Sequence, residues 1–90
     1  MMINVKEFLG ENFAIEDAII LREHIKNNLN NEITLDFEGL DRVPSTFFIC
    51  LFNELINQNG REAIFNAINV KNLTNYNDFS RVVMGTTFLN

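Results

Sequence analysis

Apolar and polar positions along this chain follow two periods, and the period assigns most of the elements. Ile3 and Val5 alternate with Asn4 and Lys6, which predicts a short edge strand within residues 2–8, broken at Gly10. Glu11-Asn12 then turns the chain. From Ala14 to Leu29 the spacing becomes helical. Ala14, Ala18, Leu21, Ile25 and Leu29 recur at three- and four-residue steps, and Asn27-Asn28 with Asn30-Asn31 end the run. Ile33, Leu35 and Phe37 alternate with Thr34 and Asp36, a strand with one face toward the core. Leu40 to Pro44 reads as a loop, with Leu40 and Val43 tucked inward.

Helical spacing returns from Ser45 to Asn59. Proline fits just before a helix, so Pro44 leaves Ser45 as the expected N-cap. Phe48, Leu51, Phe52, Leu55 and Ile56 form the buried stripe, and Gly60 is the expected left-handed C-cap. Phe47 and Ile49 widen the apolar arc. Either this helix is nearly buried or one flank is left for a partner. The dense apolar run within 62–68 predicts a strand buried on both faces. Residues 69–84 read as helical, broken near Asn75 to Asp78, with the second piece capped by Asn77 and stopped at Gly85. Thr86 to Asn90 is a tail or a last short strand. Strands that alternate with helices imply right-handed crossovers and parallel pairing.

Composition narrows the picture. Ninety residues make one domain with a thin stability margin, on the order of 5 kcal/mol. The net charge of −5 argues against nucleic-acid and anionic-membrane binding, which need a basic surface. A single cysteine, Cys50, excludes an internal disulfide and any multi-cysteine metal site. No apolar run is long enough to span a bilayer, and the start lacks a signal-peptide layout, so the cytoplasm is the expected compartment.

Candidate chemistry is sparse. His24 and Cys50 are the only residues for a Cys–His dyad, and both fall in helices dominated by packing positions. No metal site or cofactor is expected. Asp36, Glu38 and Asp41 cluster at the end of the second strand, where carboxylates can act as acid and base or hold Mg²⁺; a solvated face is the simpler account of them. Ser45 and Thr46 stand at a helix N-terminus. The free N–H groups and helix dipole there favour an anion, and a phosphate would add close to two negative charges.

The run Ile33-Thr34-Leu35-Asp36-Phe37-Glu38-Gly39-Leu40-Asp41-Arg42-Val43-Pro44-Ser45-Thr46-Phe47 resembles the signature of STAS domains, the fold of bacterial anti-sigma-factor antagonists. More closely, the chain resembles the STAS-like family of unknown function, through Leu35-Asp36-Phe37-Glu38-Gly39 and the Ser45 that follows. The resemblance extends over most of Ile3 to Val83. It implies an α/β fold: a mixed, partly parallel sheet of three to five strands with three or four helices. It further implies a GHKL-type ATPase or serine kinase as partner, with Ser45 matching the phosphoacceptor and Thr46 the next residue. Pro44 stands where the STAS motif has Asp, and Phe47 where it has Gly.

The resulting expectation is a non-enzymatic binding module. Its candidate phosphoacceptors are Ser45 and Thr46, and its candidate partner surface is Leu40, Asp41, Arg42, Val43, Pro44, Phe47 and Ile49. The alternatives are a constitutive interaction or scaffold subunit in which Ser45 is only a cap, and a small enzyme using Asp36, Glu38 or Asp41.

Overall fold

The structure is a computed structural model that describes residues 1–85; the expectation for Thr86 to Asn90 lies outside them. The first strand, β1 (Met2–Asn4), is shorter than its alternation suggests. Asn4 ends it by capping a helix, α1 (Val5–Leu9), through a hydrogen bond from the Glu7 N–H to its Oδ1 at 3.0 Å. Asparagine with glutamate three residues on is a helix-start pattern, and here it overrides the strand period.

The second helix, α2 (Asp17–Lys26), begins later than the apolar spacing implies. Asp17 accepts the Ala14 N–H at 2.8 Å and holds the preceding residues as a turn. Ala18, Leu21 and Ile25 are its buried face. The asparagines end it as expected, with Asn28 Nδ2 donating to the His24 carbonyl at 2.8 Å.

The central strand, β2 (Ile33–Asp36), leads through an eight-residue loop to α3 (Ser45–Asn59). This helix contacts α2 as well as the two helices that follow it. Six of its side chains are buried: Phe47, Phe48, Leu51, Phe52, Leu55 and Ile56. Phe47 and Phe48 therefore belong to the core, and the widened apolar arc reflects a central helix. Phe47 packs on Phe13 with ring centroids 5.0 Å apart, and Phe48 sits edge-on to both Phe37 and Phe79.

Past α3 the expected order of elements changes. Gly60 does terminate the helix, but at φ 91° and ψ 147°, outside the left-handed helical well and open in practice only to glycine. The run expected as a buried strand is a helix, α4 (Arg61–Ala67), with Ile64 alone buried. The strand is the next segment, β3 (Ile68–Lys71); it takes Ile68 from the end of that run and residues 69–71, whose spacing reads as helical. A short apolar run fits either period, and its neighbours decide. The strand is not buried on both faces, because Asn69 and Lys71 are exposed. The last described helix, α5 (Tyr76–Met84), starts after Asn75 rather than Asn77 and stops at Gly85 as expected. Arg61 Nη1 donates to the Val82 and Val83 carbonyls at 3.0 and 2.9 Å, satisfying acceptors at the end of α5.

The three strands pair in the order β1-β2-β3, all parallel. The register puts Ile3, Leu35 and Val70 in one row, with Ile33 beside Ile68. That face carries the buried hydrophobic residues of the sheet. The opposite rows are Met2-Thr34-Asn69 and Asn4-Asp36-Lys71, where Met2, Asn69 and Lys71 are exposed. Two crossovers stepping the same way across the sheet place their helices on one side when both are right-handed. The described residues thus form a parallel α/β fold with five helices, two of them short segments the periodicity did not separate.

Candidate functional site

The loop between β2 and α3, residues 37–44, carries the candidate surface. It begins at Asp36, on the central strand's C-terminal end. Asp36 Oδ1 accepts the Glu38 N–H at 3.0 Å and Asn72 Nδ2 at 2.9 Å. Those bonds hold the carboxyl below its ordinary pKa, the Asn72 side chain foremost and the Glu38 N–H next, with Lys71 adding a smaller attraction. The Phe37 N–H pairs with the Lys71 carbonyl, and Leu40 N–H closes a turn back onto Phe37. Gly39, at φ 85°, is approached closely by the Lys6 side chain; a Cβ there would lie 3.1 Å from Lys6 Nζ.

The loop then dives and resurfaces. Leu40 is half-buried, and Asp41 and Arg42 are exposed. Val43 is buried, and Pro44 is exposed. Arg42 reaches Asp78 on α5 at 2.7 Å. Val43 and Phe47, both 1% exposed, drop out of the expected partner surface because their side chains fill the core. What remains outside is Asp41, Arg42, Pro44 and Thr46, with Leu40, Ser45 and Ile49 half-exposed at the margin.

Ser45 is not the N-cap. Pro44 occupies the boundary, with extended φ −60° and ψ 144°, and no side chain caps the first turn. The reason is geometric. Proline's fixed φ suits the boundary, and its carbonyl accepts the Phe47 N–H at 3.0 Å. Ser45 is therefore the first helical residue, its hydroxyl not engaged in capping. The first turn carries no acidic side chain. Its free N–H groups and the positive end of the dipole favour an anion.

Two open hollows flank this loop, and Arg42 lines both. One, about 420 Å³, lies between the Glu11–Phe13 turn and Gly39–Pro44. The other, about 570 Å³, lies between Arg42 and the start of α5. Residues missed by periodicity line the second. Asn75, 8% exposed, accepts the Val43 N–H at 3.0 Å and donates to the Val43 carbonyl at 2.6 Å. It also donates to Asp78 at 3.0 Å. The signal in the sequence was the Asn75-Tyr76-Asn77-Asp78 cluster, where a buried asparagine and an exposed one look alike.

The other candidate groups do not assemble. Asp36 is buried, with its Oδ1 accepting two hydrogen bonds, while Glu38 and Asp41 face solvent. Among the described residues no three His, Cys, Asp or Glu gather as a metal-binding group. His24 packs its ring on Phe8, centroids 4.8 Å apart. No hydrogen bond among the described residues joins His24 to Cys50, which is half-buried on α3. No described helix is long and apolar enough to cross a membrane.

Sheet order, parallel pairing and the β2–loop–α3 unit define a small α/β domain of STAS-like type. The model of the STAS-like domain of unknown function (DUF4325) matches residues 17–77, and the chain belongs to that family. The match spans α2 through the first two residues of α5, so it contains the β2–α3 loop and the start of α3. Comparison with curated proteins and with solved structures finds no match to this chain.

Proposed function

We propose that this protein is a regulatory binding module without catalytic activity of its own. Its contact surface is the β2–α3 loop with the first turn of α3, and Ser45 is the residue on which a GHKL-type ATPase or serine kinase would place phosphate. The observation that carries the reading is Ser45 itself. It is the first residue of α3, half-exposed, free of a capping role, and next to exposed Pro44 and Thr46. A phosphate there adds charge where the helix dipole favours it, so the fold tolerates it while the surface gains negative charge. Asp41, Arg42, Pro44 and Thr46 are the exposed groups a partner would meet, with Leu40 and Ile49 at the edge.

The test is incubation with a GHKL-type ATPase and ATP, followed by intact mass and peptide mapping. One added phosphate on Ser45, absent in Ser45→Ala, supports the switch. Phosphate on Thr46 alone, or none, removes the switch and leaves the binding module.

One observation favours a second reading, a constitutive interaction subunit. Phe47 replaces the glycine of the STAS motif and is buried against Phe13 and Phe48, which holds the start of α3 closed. Partner binding unchanged by Ser45→Asp would favour this form.

A further inference from the structure

The β3–α5 turn, residues 72–75, grips the β2–α3 loop at both ends. At the start of the loop, Asn72 Nδ2 binds Asp36 Oδ1 at 2.9 Å, and that oxygen also receives the Glu38 N–H. Asn72 sits at φ 58°, a conformation asparagine tolerates better than most residues. At the far end, the Asn75 side chain engages both main-chain groups of Val43, at 3.0 and 2.6 Å. Asn75 is itself held by Asp78 at 3.0 Å, and Asp78 binds Arg42 at 2.7 Å. These anchors come from one four-residue turn and the first residues of the helix it opens.

Between those ends the loop has little internal support. Among the described residues, the one backbone hydrogen bond with both partners inside the loop joins Leu40 to Phe37 at 3.1 Å. Val43 is buried, so its N–H and carbonyl need partners that water cannot supply there. A primary amide is the one neutral side-chain group that offers donor and acceptor side by side, as a neighbouring strand would. Aspartate lacks the donor.

We infer that Asn75 and Asn72 are positioning residues for the Ser45 surface: the β3–α5 turn sets the course of residues 40–44 and so presents the start of α3. The inference rests on the reading that this loop is the contact surface. It also gives two of the chain's fifteen asparagines a specific task. A change in the turn, such as a ligand in the hollow beside Arg42, would be felt at Ser45 through Val43 without any contact to Ser45.

Residue-resolved amide hydrogen exchange on the full chain tests it. In Asn75→Ala the Val43 amide is expected to exchange at least about ten-fold faster, the order that loss of one buried hydrogen bond implies. In Asn72→Ala the Glu38 amide, which shares Asp36 Oδ1 with Asn72, is expected to accelerate. In both variants the Ser45 and Thr46 amide chemical shifts are expected to move while those of Leu51 and Leu55 do not; unmoved Ser45 and Thr46 shifts overturn the positioning role. Amides in the middle of α3, at Leu51 and Leu55, should keep their protection relative to each other and to global stability. Unchanged exchange at Val43 overturns the inference, as does acceleration by one common factor at all amides. Should Asn75→Ala not fold, Asp78→Ala carries the test. It removes the anchor of Asn75, and the Val43 amide is then expected to exchange about three-fold faster, with no change overturning the inference. Exchange is read on the protein alone, so a Ser45 that takes no phosphate counts against the proposed switch and not against the bracket.

Discussion

Two helices in this molecule start in opposite ways. The first, α1, follows its strand with no intervening loop, and Asn4 supplies the cap from its own side chain. The central helix, α3, follows an eight-residue loop and begins behind a proline with no side-chain cap. One start is determined by four neighbouring residues. The other is held by Phe47 in the core and by Asn72 and Asn75, which lie about thirty residues further along the chain. The locally capped start leaves nothing spare. The uncapped one leaves the hydroxyl of Ser45 and the N–H groups of Ser45 and Thr46 available, which is what a binding or modification surface needs.

The comparison breaks most readily at Phe47. Phe47→Ala removes a fully buried ring next to Phe13 and Phe48 and should cost about 3–5 kcal/mol, read as a shift in the urea midpoint. A loss under about 1 kcal/mol would mean that α3 is not anchored at its start by packing. At the other helix, Asn4→Ala deletes the cap and should cost about 1 kcal/mol, with any loss of helical signal confined to a small fraction.

A third measurement concerns the near end of the loop. Asp36 titrates below its ordinary value of 3.8 in the folded protein, chiefly because Asn72 donates to it. A depressed folded pKa contributes stability that is complete above the ordinary value and is lost as pH falls through the folded one. Asn72→Ala moves the folded pKa back toward ordinary. The variant should therefore be less stable than the parent at neutral pH, and the gap should narrow in acid, where Asp36 is protonated in both. Urea titrations at neutral and acid pH read this; a gap independent of pH would show that Asn72 acts without the carboxylate.

The smallest expected effect is the sharpest. Ser45→Ala should change stability by less than about 0.5 kcal/mol, whereas a true N-cap serine would lose about 1 kcal/mol. Ser45→Asp should be neutral or stabilising by a few tenths of a kcal/mol, roughly, since a carboxylate in the first turn suits the dipole. A Ser45→Ala loss equal to that of Asn4→Ala would erase the distinction between the two starts.

Much of this protein is written in local pattern. The buried face of α2, the alternation of β2 and the stripe of α3 follow from spacing, because burial of one face imposes a period on the residues that supply it. Gly85 and the helix-ending asparagines could be read the same way, since their backbone preferences are their own. The family, too, follows from residues along the chain, as the match over 17–77 bears out.

Folding contacts decided the rest. Whether 61–67 or 68–71 forms the strand depends on which segment can lie beside β2, and short apolar runs satisfy both periods. Whether Phe47 faces a partner or the core depends on Phe13, which comes from before α2 and packs on its ring. Nor does a string of asparagines announce which one is buried. Asn75 differs from Asn77 only because the β2–α3 loop passes beside it and leaves two main-chain groups in need of a donor and an acceptor.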